Sequence, residues 1–524
     1  MVEPSGKILR RTLDENLDGE TDNIDRLSAL PESILLYIIS FLELKEAAAT
    51  SILSTTWRDL FLQFGRIVVT FNEQGVSFSE HHRLFDIFVG FVNRMLRERN
   101  PEIPIKVIRV TVKNFTERMK LGYESLLMST AFAMSTCKVE TIDYSFDMCF
   151  ERNEPPSIVL PSEMFISETL TGLRLILPRG WVLPENVWLP KLRYAHLIPF
   201  RLVDENSIQR FLDGCPRLEN VMFIMKDETT EVKNLHMSSS SLKFVMLDWH
   251  VIEETNMSIT VKAENLLRLF LSLRGGHKVN VDAPNLKFFS IEGQALELNM
   301  IQSVPSMEQA TIATDCMFHF SDWNDFYSRS AKTCAFFGEF QNLRSLNISE
   351  PIMKALYVSK PVMPTFRNLY KIRLIPRYCK DDFTRYWIAH VLFNLFEKCP
   401  NLQVLSFKKV FDNYFGEVDF QSVFPVSMVQ NLKKLEICDF RGLEMEYKLH
   451  TCGEESPTSK KIYLSEDDHL GALHKISDII VDESMMVPWD STIFERDSEI
   501  PLYLHRQDFL KLGSRKEDFN ITLF

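Results

Sequence analysis

A short apolar motif recurs through the middle of the chain and constrains its fold more than any other feature. The pattern apolar-x-x-apolar-x-apolar occurs thirteen times between residues 105 and 437. The starts lie about 27 residues apart on average, within the range of roughly 20–29 that is typical of leucine-rich repeats. The motif begins at Ile105, Val139, Leu170, Leu192, Leu218, Leu242, Leu266, Leu286, Met307, Leu343, Leu369, Leu402 and Leu432.

Each motif suits one short strand, and the gap between motifs fits one return segment. The fold class is therefore α/β, with an irregular leucine-rich-repeat solenoid over residues 105–440. Helix-like stretches at 207–214 and 388–398 precede Cys215 and Cys399, which we interpret as small buried hydrophobic residues rather than reactive thiols. Asn at the usual position after each strand is mostly missing, so the repeat is irregular.

Alternation along a strand assigns the two faces of every repeat. The first, fourth and sixth motif residues point into the core, and the third and fifth point outward along a concave sheet. Four consecutive repeats then present apolar side chains on the outward face, which we predict to bind a target protein: Met222, Phe244, Met246, Phe270 and Phe288. The alternative is that the register is off by one residue or that a loop covers the patch.

Three short helices precede the repeats. After a polar leader at 1–24, residues 25–66 carry apolar positions at helical spacing, including Ile34, Leu35 and Phe41 in the first helix and Trp57 in the third. Residues 67–104 read as a linker and an amphipathic helix that caps the first strand. Forty residues can barely bury a core alone, so some of this apolar surface should find a partner.

The run DRLSALPESILLYIISFLELKEAAATSILSTTWRDLF resembles an F-box of the plant type that heads leucine-rich-repeat proteins. A basic residue usually precedes the tryptophan in that family, whereas this chain has Thr55 and Thr56. The matching positions are Leu30, Pro31, Ile34, Leu35, Ile38, Ser40, Phe41, Leu42, Ser51, Leu53, Ser54, Trp57 and Arg58.

The resemblance implies docking on a Skp-type adaptor, which connects to a cullin and a RING subunit of a ubiquitin ligase. Helix-face recognition of this kind buries apolar anchors inside a polar rim. The expected adaptor-binding residues are Leu30, Pro31, Ile34, Leu35 and Trp57. The alternative for part of the first helix is that Leu35, Ile38 and Phe41 only hold the three helices together.

Residues 441–524 read as an acidic loop followed by a C-terminal cap for the solenoid. Between 451 and 490 there are nine acidic residues and three lysines. Residues 442–465 look like a loop, and 476–481 fit one more strand. The end of the chain distantly resembles the FBD segment that often closes plant F-box proteins.

Composition and missing motifs exclude several classes of function. A net charge of −12 does not suit broad binding to nucleic acid or anionic lipid. Nine dispersed cysteines without a C-x-x-C pair, and no signal-like start, indicate reduced thiols and a location in the nucleus or cytoplasm. His81 and His82 lack further ligands nearby, and no catalytic or phosphate-binding motif is present, so we expect no metal, no cofactor and no enzymatic activity.

These features predict a substrate-receptor subunit of an SCF-type cullin-RING ubiquitin ligase, with the F-box on the adaptor and the repeats on the target. Two alternatives stay open. One is a ligand-sensing receptor that holds a small molecule in the concave face, and the other is an adaptor-binding scaffold without a role in degradation.

Overall fold

A computed structural model describes most of the chain up to residue 464. The described ranges are 27–146, 160–375, 392–409, 431–439 and 461–464, apart from short gaps at 28, 43, 73–74, 76, 203, 228–231, 252–256, 302–303, 315–322, 341, 360–362 and 393. The predicted cap after residue 464, including the strand expected at 476–481, lies outside the described residues.

Helices gather at the N-terminus and on the return side of the repeats. They are α1 (Glu32–Ile39), α2 (Leu44–Thr50), α3 (Thr55–Leu62), α4 (Phe78–Arg97), α5 (Lys120–Thr136), α6 (Ser207–Asp213), α7 (Trp323–Gly338) and α8 (Glu350–Val358). The helix predicted at 207–214 is confirmed by α6, whereas α7 and α8 were not predicted.

Strands form one continuous parallel sheet. They are β1 (Arg66–Phe71), β2 (Val107–Val112), β3 (Thr141–Phe146), β4 (Gly172–Val182), β5 (Tyr194–Arg201), β6 (Asn220–Asp227), β7 (Asn234–Ser238), β8 (Phe244–Val251), β9 (Ser258–Lys262), β10 (Arg268–Asp282), β11 (Phe288–Met300), β12 (Gln309–Thr314), β13 (Ser345–Ser349), β14 (Lys371–Ile375), β15 (Val404–Lys409), β16 (Lys434–Asp439) and β17 (Lys461–Leu464).

The predicted register of the repeats is confirmed. In the repeat that starts at Leu242, residues Leu242, Val245 and Leu247 are buried, while Phe244 and Met246 are half-buried on the other face. The first, fourth and sixth positions are buried in the same way in the motifs from Ile105 to Phe407. Hydrophobic burial at these three positions therefore fixes which face of each strand points into the core.

A second ladder of strands closes the middle repeats. The first half of β10 pairs with β8, and its second half, Lys278–Asp282, pairs with β9. Strand β9 also pairs with β7, so these repeats return through strands rather than helices. Spacings of 20–24 residues leave little room for a return helix, whereas the longer stretch between β12 and β13 holds α7.

The sheet extends beyond the predicted repeats at both ends. Strand β1 lies within the segment interpreted as linker and capping helix, and it pairs with β2. Strand β17 lies in the segment interpreted as a loop, and it pairs with β16. Strand β1 carries the complete pattern at Phe64, Ile67 and Val69, but it precedes the range in which the motifs were counted, whereas the motif around β17 has Ser459 in place of its first apolar residue.

The N-terminal helices and the solenoid share one hydrophobic core, which runs from Leu35 to Leu432. Helix α4 connects the paired strands β1 and β2 and packs on the core: Phe85, Val92 and Leu96 are buried, and the Phe85 and Phe71 rings lie 5.3 Å apart edge to face.

Asparagines just before the strands link successive repeats through hydrogen bonds. The residue directly before a motif often donates its side-chain amide to a main-chain carbonyl of the previous repeat, at 2.7–3.1 Å; the donors are Asn265, Asn285, Asn342, Asn401 and Asn431. The asparagines that precede the motifs thus satisfy carbonyls that the strand ladder leaves unpaired.

Candidate functional site

Helix α1 divides its apolar residues between two faces. Leu35 and Ile39 are buried in the core, and α1 packs on α3, whereas Leu30, Pro31 and Ile34 are exposed. Pro31 precedes the first helical residue, where its missing N–H leaves no hydrogen bond unmade. Three of the five residues predicted to contact an adaptor are therefore available to a partner.

The other two predicted residues lie in the interior. Leu35 is 2% exposed and Trp57 is 4% exposed, and both belong to the continuous core. The hydroxyl oxygen of Ser54 accepts a hydrogen bond from the Trp57 backbone N–H at 3.2 Å, which caps α3. In this structure Leu35 and Trp57 hold the helices that present the exposed residues.

The exposed apolar face is larger than the sequence indicated. Phe41 is 71% exposed and stacks edge to face on Tyr37 at 4.7 Å, so it does not hold the three helices together. Ile52 and Leu53, in the turn after α2, are 86% and 68% exposed. Leu27 is also exposed. Such a concentration of apolar surface on a small module is typical of a binding face.

The two histidines of α4 have local partners. The His81 ring packs edge to face on Phe71 at 5.1 Å, and His82 Nε2 lies 2.8 Å from the Thr116 hydroxyl. Among the described residues there is no cluster of three or more His, Cys, Asp or Glu side chains that would hold a metal ion.

The five residues of the predicted target patch lie together on the concave face. Met222, Met246 and Phe270 are register partners on β6, β8 and β10, and the Phe244 and Phe270 rings are 5.5 Å apart. Phe288 lies on β11 beside Phe270's strand. All five side chains are half-buried, so each keeps part of its surface available.

Three isoleucines pack beside this patch on the side of the N-terminal repeats, and all three are buried. Ile176, Ile198 and Ile224 form a small cluster apart from the main core, and Met222 packs against it. They occupy the seventh position of their repeats, which the six-residue motif does not include. Sequence analysis missed them for that reason, although alternation places the seventh position on the same face as the third and fifth.

Charged side chains flank the apolar surface on its N-terminal side. The Asp143 carboxylate is buried and accepts hydrogen bonds from Arg109 Nε at 2.8 Å and from Arg174 Nη1 at 3.1 Å. His196 follows Arg174 in the same row, and burial together with the Arg174 charge lowers the pKa of His196 well below its usual value. His196 is therefore neutral near pH 7.

A second charged group lies beyond the apolar surface, on the C-terminal repeats. The Glu436 carboxylate contacts Lys434 at 2.5 Å and Lys371 at 3.2 Å. Burial raises the pKa of Glu436, but the hydrogen bond from Lys434 and the charge of Lys371 outweigh burial and hold it below its usual value. Arg373, beside Lys371, donates to the Ser406 hydroxyl at 3.2 Å.

The cysteines at the helix ends are buried as predicted. Burial raises the pKa of Cys215 to about 12, and it raises the pKa of Cys399 as well. Neither thiol is therefore ionised near neutral pH, which removes the nucleophilic form. In the part of the chain that the structure describes, no helix is both long and apolar enough to cross a bilayer.

Comparison with known proteins accounts for both halves of this architecture. Residues 27–67 match the F-box domain family. Residues 144–321 match the family described as "FBD-associated F-box protein At5g56370, LRR repeats". The chain therefore carries an F-box match followed by a match to leucine-rich repeats of the FBD-associated type.

Relatives from Arabidopsis thaliana match over most of the chain. The F-box/FBD/LRR-repeat protein At5g22660 is 26% identical over 85% of this chain and 90% of its own length. F-box/LRR-repeat protein 13 is 24% identical over 90% of this chain and 96% of its own length. The F-box and the repeats therefore occur in the same arrangement in full-length plant proteins.

Proposed function

We propose that this F-box/leucine-rich-repeat protein is the substrate-receptor subunit of an SCF-type cullin-RING ubiquitin ligase. One observation carries the proposal: Leu35 and Trp57 are buried in the core that the F-box shares with the repeats, while a second apolar face, with Leu30, Pro31 and Ile34, stays exposed. A Skp-type adaptor binds that face and links the chain to the cullin and RING subunits. The repeats then hold the target protein.

The chain acts by positioning rather than by catalysis. Holding a target beside the ligase core raises its effective concentration, and the partners transfer ubiquitin. No cofactor is needed for this role. The ligase complex works in the nucleus or the cytoplasm.

Substitution on the exposed F-box face tests the adaptor contact. The variant L30A/P31A should lose the adaptor and cullin in affinity purification from cells with blocked proteasomes, while the target is retained. The control L121A/M128A removes two exposed apolar side chains from α5 on the solenoid side and should keep the adaptor. Absence of the adaptor from the wild-type purification would remove the basis of the proposal.

Substitution on the concave face tests target binding. The variant M222D/M246D/F270D places three charges on adjacent strands and should abolish target capture while adaptor binding persists. The control S290D/Q309D adds charges at outward positions just beyond the patch. Target capture by a folded triple variant would show that this patch is not the target site.

Target stability separates a receptor from a scaffold. Depleting the chain should lengthen the half-life of the captured target, and wild-type protein should restore it, whereas L30A/P31A should not. An unchanged half-life on depletion would identify an adaptor-binding scaffold. A small molecule retained in native mass measurements of the purified protein would instead favour a ligand-sensing receptor.

A further inference from the structure

Exposed apolar side chains form one stripe along the outer side of α4 and another along α5. The stripe on α4 consists of Ile87 and Phe91, and the stripe on α5 consists of Leu121, Met128 and Phe132. Residues four, seven or eleven positions apart share one side of a helix. Ile87 and Leu121 expose 59% and 79% of their surface. A concentration of apolar surface of this kind marks a contact with another molecule.

The two stripes belong to one surface, because α4 and α5 lie side by side and run in the same direction. The Asn93 side-chain amide donates to the Ser125 hydroxyl at 2.8 Å, and Arg97 Nε donates to the Ser129 hydroxyl at 2.9 Å. Both bonds join residues that are 32 positions apart in sequence. The Arg97 guanidinium also lies 5.8 Å from the centre of the Phe132 ring, so it bridges the two helices. We call this two-helix surface the outer helical face.

A glycine in the middle of the outer helical face has no packing reason within the described chain. At Gly122 on α5, an added Cβ would lie 2.8 Å from the Phe85 ring, so the contact between α5 and α4 requires a glycine there. At Gly90 on α4, an added Cβ would meet no atom within 4 Å. Glycine weakens a helix interior, but it also allows a second backbone to approach closely. Gly90 therefore leaves a point on α4 where a helix from outside the chain can cross at short distance.

The charges on α4 match a second copy of the same helix. A twofold axis that passes beside Gly90 and Phe91 would pair α4 with its symmetry mate in antiparallel orientation. Arg83 lies seven positions before Gly90, and Glu98 lies seven positions after Phe91, so each would face the other across the axis. Twofold symmetry produces this contact twice. Opposite charges therefore flank the apolar stripe at both ends of the helix pair.

A second pair of charges fits the same axis. Asp86 and Arg94 are exposed on α4, four positions before Gly90 and three positions after Phe91, so antiparallel copies bring them together. A parallel arrangement would instead place each arginine opposite its own symmetry mate. Because like charges in close contact are unfavourable, the charge pattern selects the antiparallel arrangement.

Helix α5 repeats the pattern. The offset of 32 positions between the bonded residues places Gly122 level with Gly90. Lys120 and Glu124 lie two positions on either side of Gly122, so they also face each other's copies across the axis. Within one copy, Lys120 contacts Glu124 only at 3.8 Å on the helix surface, and a pair of this kind contributes little to stability. Exchanging it for a contact between copies therefore costs little.

From the apolar stripes, the open glycine and the self-complementary charges, we infer that the outer helical face is a homodimer interface. Helix α4 of one copy packs antiparallel on α4 of the other, and α5 packs on α5 about the same axis. The exposed F-box residues and the concave patch lie on other elements, so a dimer carries two of each. Two receptor surfaces in one particle raise the effective concentration for a bivalent target.

Analytical ultracentrifugation of the purified full-length protein tests the inference without adaptor or target. Wild type should sediment with about twice the monomer mass of 61.1 kDa, and the dimer should dissociate on dilution. A wild-type protein that stays at 61.1 kDa up to about 100 μM would overturn the inference, because a dimer with a micromolar dissociation constant forms well below that concentration. The measurement involves no ligase component, so its outcome is independent of the proposed ligase role.

Charged substitutions locate the interface. I87D/F91D places two carboxylates in the centre of the outer helical face and should give a monomer with an unchanged circular-dichroism spectrum, because both side chains are exposed. The control I52D/I301D introduces the same charge at two exposed isoleucines outside this face and should keep the dimer. A folded I87D/F91D protein that still dimerises, or a control that loses the dimer, would refute the interface.

Charge exchange tests whether the occupant is a second copy. R83E and E98R each bring like charges together at two symmetric contacts and should raise the dimer dissociation constant about tenfold. The double variant R83E/E98R exchanges the two signs on both copies and should restore the wild-type constant. The control E163R changes an exposed glutamate outside α4 and α5 and should have no effect. If the double variant does not restore the dimer, the face does not pair with itself in this orientation and the inference is wrong.

Discussion

Asp143 offers the sharpest test of how the concave face is stabilised. Its carboxylate is 1% exposed and lies between two guanidinium groups, at 2.8 Å from Arg109 and 3.1 Å from Arg174, whose side chains are 21% and 18% exposed. The substitution Asp143→Ala removes both acceptors. Two mostly buried positive charges then face each other across the sheet.

The expected cost follows from these contacts. Each hydrogen bond to a charged group contributes roughly 1.5–3 kcal/mol, and breaking a buried ion pair by removing one partner costs about 3–5 kcal/mol. Partial exposure lets water reach the two arginines and reduces the penalty, so we expect a loss of about 3–4 kcal/mol in the free energy of unfolding. Replacing all three residues by apolar ones, R109M/D143L/R174M, should cost less than Asp143→Ala alone.

The loss should be local, because each repeat contacts only its neighbours. Hydrogen exchange followed by mass spectrometry measures the opening free energy of separate segments. Amides of β2–β5 should exchange about a hundredfold faster or more in the Asp143→Ala protein, and those of β13–β15 should be unchanged. The triple apolar variant should recover most of the protection.

An exposed ion pair provides the control. Glu80 and Arg83 are 3.5 Å apart on α4 with largely exposed side chains, and Glu80→Ala should change stability by no more than about 0.5 kcal/mol. If Asp143→Ala and Glu80→Ala leave β2–β5 equally protected, burial does not strengthen the Asp143 contacts, and the reasoning is wrong.

Three further predictions follow from single positions. Gly293 has a φ of +97°, and a Cβ there would lie 1.9 Å from the Leu273 carbonyl oxygen, so Gly293→Ala should lower the free energy of unfolding, measured by chemical denaturation, by at least about 2 kcal/mol. Gly90→Ala on the open face of α4 should instead raise it by roughly 0.5–1 kcal/mol. Equal effects of the two substitutions would argue against the close approach at Gly293. Asn401→Ala removes the amide that reaches the Arg367 carbonyl and should cost about 0.5–1 kcal/mol by the same measurement. The depressed pKa of Glu436 contributes stability above the ordinary glutamate pKa that is lost as the pH falls through the lowered value, so the melting temperature of E436Q should fall less than that of wild type on acidification; parallel curves would contradict this.

The period of the sequence predicted the repeats well, for a reason visible in one motif. Leu242, Val245 and Leu247 are apolar because they are buried, and Phe244 and Met246 alternate with them because a strand turns successive side chains to opposite faces. A one-residue slip would expose the core residues. The patch on four consecutive repeats could therefore be placed on the concave face from sequence alone.

The return segments could not be predicted in the same way. A second set of strands closes the repeats around β7 and β9, whereas α7 and α8 return from β12 and β13. Short apolar stretches between motifs are compatible with either a return strand or a return helix. The choice depends on the spacing of neighbouring repeats and on the pairing available from adjacent strands.

Helical spacing likewise could not separate the exposed residues of the F-box from its buried ones. Ile34 and Leu35 are adjacent and equally apolar, yet one faces solvent and the other the core. Which side of α1 is buried depends on where α3 and the first strands lie. Leu35 and Trp57 were predicted to bind the adaptor because the sequence does not show which side chains this packing buries.

Sequence alone determined the repeating unit of this protein, a six-residue alternation that recurs along the chain. It also determined an N-terminal helical module with more apolar residues than a small core can hold. Tertiary structure decided which distant side chains meet. Arg109, Asp143 and Arg174 are successively more than thirty residues apart in sequence and become neighbours through strand register. Local periodicity encodes the direction of a side chain, whereas the contacts between repeats depend on the pairing of whole strands and on the length of every return segment.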